Sequence, residues 1–146
     1  MSSHASGLAP VGTRTSFSKT VSETDIYLFA GVSGDFSPNH VNAEYMKQTP
    51  YGRIVAHGVL IMGFMSSCST KVIDELSRPA VSYGYDRVRF VKPVFVGDTI
   101  TVEYEVTEQD LESERTFAQI TATNQHGEIV AVWTPSISGA GLAGSY

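Results

Sequence analysis

An acid and an imidazole stand five residues apart in Gly34-Asp35-Phe36-Ser37-Pro38-Asn39-His40, and a second imidazole follows in Val55-Ala56-His57-Gly58. Asp and His together are the smallest set of side chains able to hold, deprotonate and redeliver a water molecule. The Gly, Ser, Pro and Asn around them are loop formers, and loops on a rigid scaffold are where catalytic groups concentrate. Spacing alone leaves a plainer reading open for each residue. Asp35 can be a turn residue bonding its own backbone, His40 an ordinary loop or core histidine, and His57 a helix-start residue whose ring bonds backbone. Gly58 can be a packing glycine.

The elements that must hold these residues read as follows. Thr15 to Val21 alternates loosely and predicts a first strand. Ser22 followed by Asp25 resembles a helix start, with a hydroxyl cap and acids in the first turn. That helix is expected over Glu23–Ala30, with Ile26, Phe29 and Ala30 inward, ending at Gly31. Gly31 to Asn42 reads as loop, and Ala43 to Gln48 as one or two helical turns broken by Pro50-Tyr51-Gly52. A long helix follows from Ala56 to about Leu76. Its first half (Val59, Leu60, Ile61, Met62, Phe64, Met65) leaves almost no polar face, which predicts a buried helix. Beyond Pro79 the period changes to two. Strands are expected near Val81–Phe90, Thr99–Gln109, Arg115–Asn124 and Ile129–Ser136, with turns at Gly97-Asp98 and Gln125–Glu128. Helices first and antiparallel strands second make an α+β chain, with a sheet of about five strands curled around one apolar helix.

At 146 residues and 42% apolar content, the chain fits a single folded domain, expected over 15–137. Residues 1–14 and 138–146 are rich in Gly, Ala and Ser and read as flexible tails. A net charge of −5 gives no basic footprint, so nucleic acid is not an expected partner. Nothing near the start reads as a signal peptide, and Val59 to Met65 is too short to span a bilayer. The one cysteine, Cys68, excludes a disulfide within the chain and suits a reducing cytoplasm. It reads as a small buried apolar residue.

With Asp35-Phe36-Ser37-Pro38-Asn39-His40, His57-Gly58 about eighteen residues on, and the block Val88 to Thr99, the chain resembles the MaoC-like hydratases. The hot-dog-fold (R)-specific enoyl-CoA hydratases are among them. The resemblance runs from about Phe17 to Pro135. The piece Pro93-Val94-Phe95-Val96-Gly97-Asp98-Thr99 is shared more widely among hot-dog proteins and supports the fold more than the reaction. In the family's signature, Gly/Ser-Asp-x-Asn-Pro-x-His, an Asn stands where this chain has Ser37. Ser is shorter and replaces only part of an Asn hydrogen-bond network.

The resemblance implies reversible hydration of a trans-2-enoyl-CoA to an (R)-3-hydroxyacyl-CoA. Asp35 and His40 would hold the water, with His40 as general base. The Gly58 N–H would meet the thioester oxygen. Ser37, His57 and Ser66 would bind substrate or support the site. It implies no metal and no cofactor beyond the coenzyme A of the substrate. It also implies at least a homodimer, since a hot dog leaves an open sheet edge that a second subunit covers. Arg87, Arg89 and Lys92 are candidates for the coenzyme A phosphates, and Met62, Met65 and Tyr83 for setting pocket depth. Two rivals remain at this stage. One is a hot-dog thioesterase using an acid on the central helix, for which Asp74 and Glu75 lie late. The other is a non-catalytic acyl-thioester binding module.

Overall fold

Strict alternation of apolar and polar residues builds the sheet. In the computed structural model, which describes residues 7–77 and 79–139, strand β4 (Thr99–Asp110) turns Ile100, Val102, Tyr104 and Val106 inward. Strand β5 (Arg115–Thr123) does the same with Ala118, Ile120 and Ala122. With β1 (Arg14–Thr20), β2 (Val81–Tyr85), β3 (Arg89–Phe90) and β6 (Ile129–Gly139) they form one antiparallel sheet. Its order is β1-β4-β5-β6-β2, with β3 also pairing β6. The register sets Phe17 opposite Val102 and Phe90 opposite Ala131.

Four helices, α1 (Glu23–Ser33), α2 (Pro38–Val41), α3 (Ala43–Met46) and α4 (Gly58–Asp74), lie in the chain between β1 and β2. Helix α4 buries Ile61, Phe64, Met65, Cys68 and Val72, a spacing that keeps one face on the sheet. It packs over β1 and β4, with the Phe17 and Phe64 rings edge to face at 5.8 Å. Each such large apolar side chain contributes roughly 1.5–3 kcal/mol on burial, which holds the helix where a few turns alone would be marginal. This is the expected α+β arrangement of a sheet around one long helix.

Several expectations are corrected. Helix α4 is not covered all round: Val59, Gly63, Ser66 and Thr70 line an exposed face, and Val59 is 56% exposed. The sheet covers one side of the helix only. Helix α1 runs through Gly31 and stops at Gly34, whose φ of 78° and N–H bond to the Ala30 carbonyl (2.8 Å) form a left-handed cap. Pro38 opens a helical turn, α2, inside the expected loop. The strand expected over Val81–Phe90 is two strands, because Arg87 adopts a φ of 52° and interrupts the ladder.

The described part of the predicted N-terminal tail, residues 7–14, packs on the fold. Leu8 and Ala9 are buried, and Gly12 and Thr13 bond Val106 at 2.8 and 2.9 Å. Of the predicted C-terminal tail, Ser138 and Gly139 end β6, and the remainder of both tails lies outside the described residues. No helix among the described residues is long and apolar enough to cross a membrane.

Candidate active site

Residues 54–57 are the hinge on which the site is built. The Ala56 N–H donates to the Val94 carbonyl at 2.7 Å, and Val55 pairs with Phe95. On the other side, the Val55 N–H donates to the Asn39 carbonyl at 3.0 Å. The Val55 carbonyl accepts the ring N–H of His40, whose Nδ1 lies 2.5 Å away. A carbonyl only accepts, so Nδ1 carries a proton, and in a neutral ring the lone pair is then on Nε2. His40 stands at the end of the one-turn helix α2, its own N–H bonded to the Ser37 carbonyl at 2.8 Å.

Nε2 faces Asp35 Oδ2 across 3.9 Å. The other oxygen, Oδ1, accepts the Ser37 N–H at 3.2 Å. Asp35 is therefore both things the sequence allowed, a turn residue through Oδ1 and a partner of His40 through Oδ2. At that distance the two atoms do not bond directly, and a carboxylate oxygen and the lone pair of a neutral imidazole are both acceptors. A water placed about 2.8 Å from both atoms would see them roughly 90° apart and could donate one hydrogen to each.

His40 lines a cavity of about 300 Å³ together with Tyr51, Gly58, Ile61, Phe90 and Val130 among others, while Asp35 is not among its lining residues. Gly58 is the first residue of α4, and the first-turn N–H groups of a helix have no partner within it. A Cβ added at Gly58 would come within 2.8–2.9 Å of three Phe90 ring carbons, so glycine here is what lets that ring lie against the helix start.

His57 is 2% exposed. Its Nε2 lies 3.0 Å from the Asp35 carbonyl, its ring stacks on His40 with centroids 3.7 Å apart, and Phe29 packs against it at 4.8 Å. Asp35, His40 and His57 offer three possible metal-ligand atoms within 4.8 Å of one another. The stack, only 26° from parallel, argues against that use. Imidazole lone pairs lie in the ring plane, and an ion about 2.0–2.1 Å from each nitrogen cannot lie in two nearly parallel planes that far apart.

The structure thus brings Asp35, His40, His57 and Gly58 together and places Ser37 in the same loop, at the N-cap of α2 with no side-chain cap bond. Ser66 is exposed two turns along α4 and does not line the cavity. Of the three basic candidates, only Lys92 lines it. Its ammonium pairs with Glu128, where Lys92 and then Asn124 hold the carboxyl below the usual carboxylate range. Arg87 and Arg89 are exposed. Met62, Met65 and Tyr83 do not set the pocket. Met65 is core, Met62 packs against the core, and Tyr83 is exposed under the Arg115 guanidinium. Ile61, Val94, Val130 and Ala131 line it instead. Sequence reasoning missed Phe90 and Tyr51; the one signal for Phe90 was the glycine at 58.

Residues 9–129 match the family described as "MaoC like domain". An (R)-specific enoyl-CoA hydratase of Rhodospirillum rubrum is 42% identical over 96 residues, 66% of this chain and 65% of that protein. The match thus spans just under two thirds of that relative's length. A 3-hydroxybutyryl-CoA dehydratase of Methylorubrum extorquens is 31% identical over 122 residues, 84% of this chain and 74% of the relative. Among solved structures, the unliganded R-hydratase PhaJ1 of Pseudomonas aeruginosa superposes with a TM-score of 0.77 at 31% identity, covering 90% of this chain and 81% of that one. The (R)-hydratase of Aeromonas caviae has a TM-score of 0.81 at 24% identity, covering 90% and 97%, and shows the shared fold.

Proposed function

The chain belongs to the MaoC-like domain family, and we propose that it catalyses the reversible addition of water to a trans-2-enoyl-CoA, giving an (R)-3-hydroxyacyl-CoA. The observation that carries this reading is the 3.9 Å gap between His40 Nε2 and Asp35 Oδ2, which suits one water, with His40 lining a mostly apolar cavity.

In the hydration direction the water oxygen attacks the β-carbon while His40 Nε2 takes one of its protons. Asp35 Oδ2 accepts the second hydrogen and orients the oxygen. Electron density moves to the thioester oxygen, where the Gly58 N–H at the positive end of α4 stabilises the enolate-like intermediate. One such donor is worth on the order of 3 kcal/mol of barrier. The proton removed from water returns to the α-carbon through the Asp35–His40 pair, so the net change is one water added. General acid–base work of this kind supplies roughly 10²–10⁴ in rate. No metal takes part.

A homodimer is the assembly this fold favours. Among the described residues, strands β1 and β2 end the sheet, and β2 leaves Val81, Tyr83 and Tyr85 exposed beside an edge that no described strand covers.

The test uses crotonyl-CoA. Loss of the enoyl absorbance without release of free thiol, unaffected by chelator, is the expected result. Thiol release would identify a thioesterase instead. That reading is disfavoured because Asp74 and Glu75 lie at the far end of α4 from Gly58 and neither lines the cavity.

A further inference from the structure

Asp35 is on a short exposed link between α1 and α2, and its position depends on what ties that link down. Most of its hydrogen bonds are local. The Asp35 N–H donates to Ser33 Oγ at 3.1 Å, the Phe36 N–H to the Gly34 carbonyl at 3.2 Å, and the Ser37 N–H to Asp35 Oδ1. Such bonds shape the turn without fixing it to the rest of the molecule. Among the described residues, the bond of Asp35 to a distant element is the one donated by His57 Nε2 to its carbonyl, 22 positions along the chain.

His57 also governs the other half of the pair. The bond from His40 Nδ1 to Val55 fixes one edge of the His40 ring and leaves its plane free to rock about that edge. The stacked His57 ring, 3.7 Å away, sets the plane. His57 itself cannot rock, because it is buried, wedged against Phe29 and held at the first turn of α4 by the backbone on either side. One side chain therefore touches both partners of the 3.9 Å gap, one through a hydrogen bond and the other through a ring face.

A purely structural role would not call for an imidazole here. His57 Nδ1 is buried with no hydrogen-bond partner among the described residues. A buried polar atom left unpaired costs free energy, and phenylalanine would fill the same flat space without that cost. The one thing phenylalanine cannot do is donate to the Asp35 carbonyl.

We infer that His57 is a positioning residue that sets the Asp35–His40 separation, touching neither the water nor the thioester. The inference rests on the proposed hydratase reading for its effect on rate, but its structural content is independent of it.

The experiment compares wild type, His57→Phe and His57→Gln. Phenylalanine keeps the stack and removes the donor; glutamine restores an N–H donor. With crotonyl-CoA, His57→Phe is expected to lower kcat on the order of 100-fold, the effect of a misplacement of about 1 Å. KM should change by less than about threefold, since an interaction made for the transition state is lost rather than uniform binding. His57→Gln should recover at least about tenfold of that loss. In parallel, amide exchange at residues 35–37 should quicken by about tenfold or more in His57→Phe and return toward wild type in His57→Gln. If His57→Phe folds and keeps both the wild-type kcat and the wild-type exchange rates, His57 is packing alone and the inference is overturned. Should His57→Phe fail to fold, His57→Ala, which leaves room but no donor, is compared with His57→Gln in its place. A wild type that does not hydrate crotonyl-CoA sinks the proposed function; the exchange rates then still decide whether His57 holds the loop.

Discussion

The Phe90 ring lies flat against Gly58, so that a methyl group at position 58 would meet three ring carbons at 2.8–2.9 Å. Residue 58 is at the start of α4 and residue 90 on the short strand β3, and the two close one wall of the cavity from opposite layers. The reason for glycine at the start of the central helix is thus a contact inside the protein, whatever the substrate also requires there. Gly58→Ala should destabilise the fold by about 1–3 kcal/mol, the usual cost of overpacking. Phe90 is half exposed, so Phe90→Ala should cost less than a core truncation. The double variant should be no less stable than Phe90→Ala alone, because the obstacle has gone. Urea unfolding of the four proteins measures this coupling, and strictly additive losses would show that the ring is not what excludes a side chain.

The start of the first helix carries a pH-dependent anchor. Asp25 Oδ2 accepts the Ser22 N–H at 2.8 Å and the Lys19 ammonium at 2.9 Å, while Ser22 Oγ accepts the Asp25 N–H at 3.1 Å. Burial pushes the Asp25 carboxyl up, but the bonds from Lys19 and Ser22 outweigh it and hold the group below the usual carboxylate range. A carboxyl depressed in the folded state contributes stability above its unfolded value, and that stability is lost as pH falls through the folded value. Wild type should therefore be more stable than Asp25→Asn near neutrality, and the gap should narrow as the solution is acidified below the ordinary carboxylate range. Ser22→Ala should cost about 1 kcal/mol by removing the cap. Urea midpoints against pH measure both, and a gap that stays constant into acid would mean that the carboxylate charge contributes nothing.

What the sequence made legible follows from how local each signal is. Alternation is local, so strands expected at Thr99–Gln109 and Arg115–Asn124 were found at Thr99–Asp110 and Arg115–Thr123. The period of α4 was legible too, but which of its faces the sheet covers was not. Val59 is as apolar as Ile61, yet only Ile61 turns toward the sheet. Two glycines competed to end α1, and composition does not distinguish them. Only Gly34 takes the left-handed φ, while Ser33 remains helical with its Oγ on the Phe29 carbonyl at 2.7 Å. The place of His57 was out of reach for a different reason. Its partners Asp35 and His40 are far back along the chain, and the spacing of a motif says nothing of ring stacking between its parts. The same holds for the pocket wall, where Met62 and Met65 had the right composition and Ile61 and Val130 have the right direction.

The two acceptors that face each other should behave as a single unit. In Asp35→Asn the remaining Oδ1 can still accept the Ser37 N–H, so the turn survives. The amide nitrogen that replaces Oδ2 is a donor and no longer accepts a hydrogen from a water placed between the two side chains. His40→Ala removes the other acceptor and leaves the Val55 carbonyl to solvent. Each single change should lower kcat for crotonyl-CoA hydration by roughly 10²–10⁴; the unfolding midpoint should be little altered in Asp35→Asn, whose side chain is exposed, and somewhat lower in His40→Ala, whose ring is largely buried and stacked on His57. Because a water held at one point no longer has a catalytic site once either holder is gone, the double variant should fall no more than about tenfold below the weaker single. Kinetics of the four proteins test this. Losses that multiply would mean that Asp35 and His40 act on different steps, and the shared-water reading of the 3.9 Å gap would be wrong.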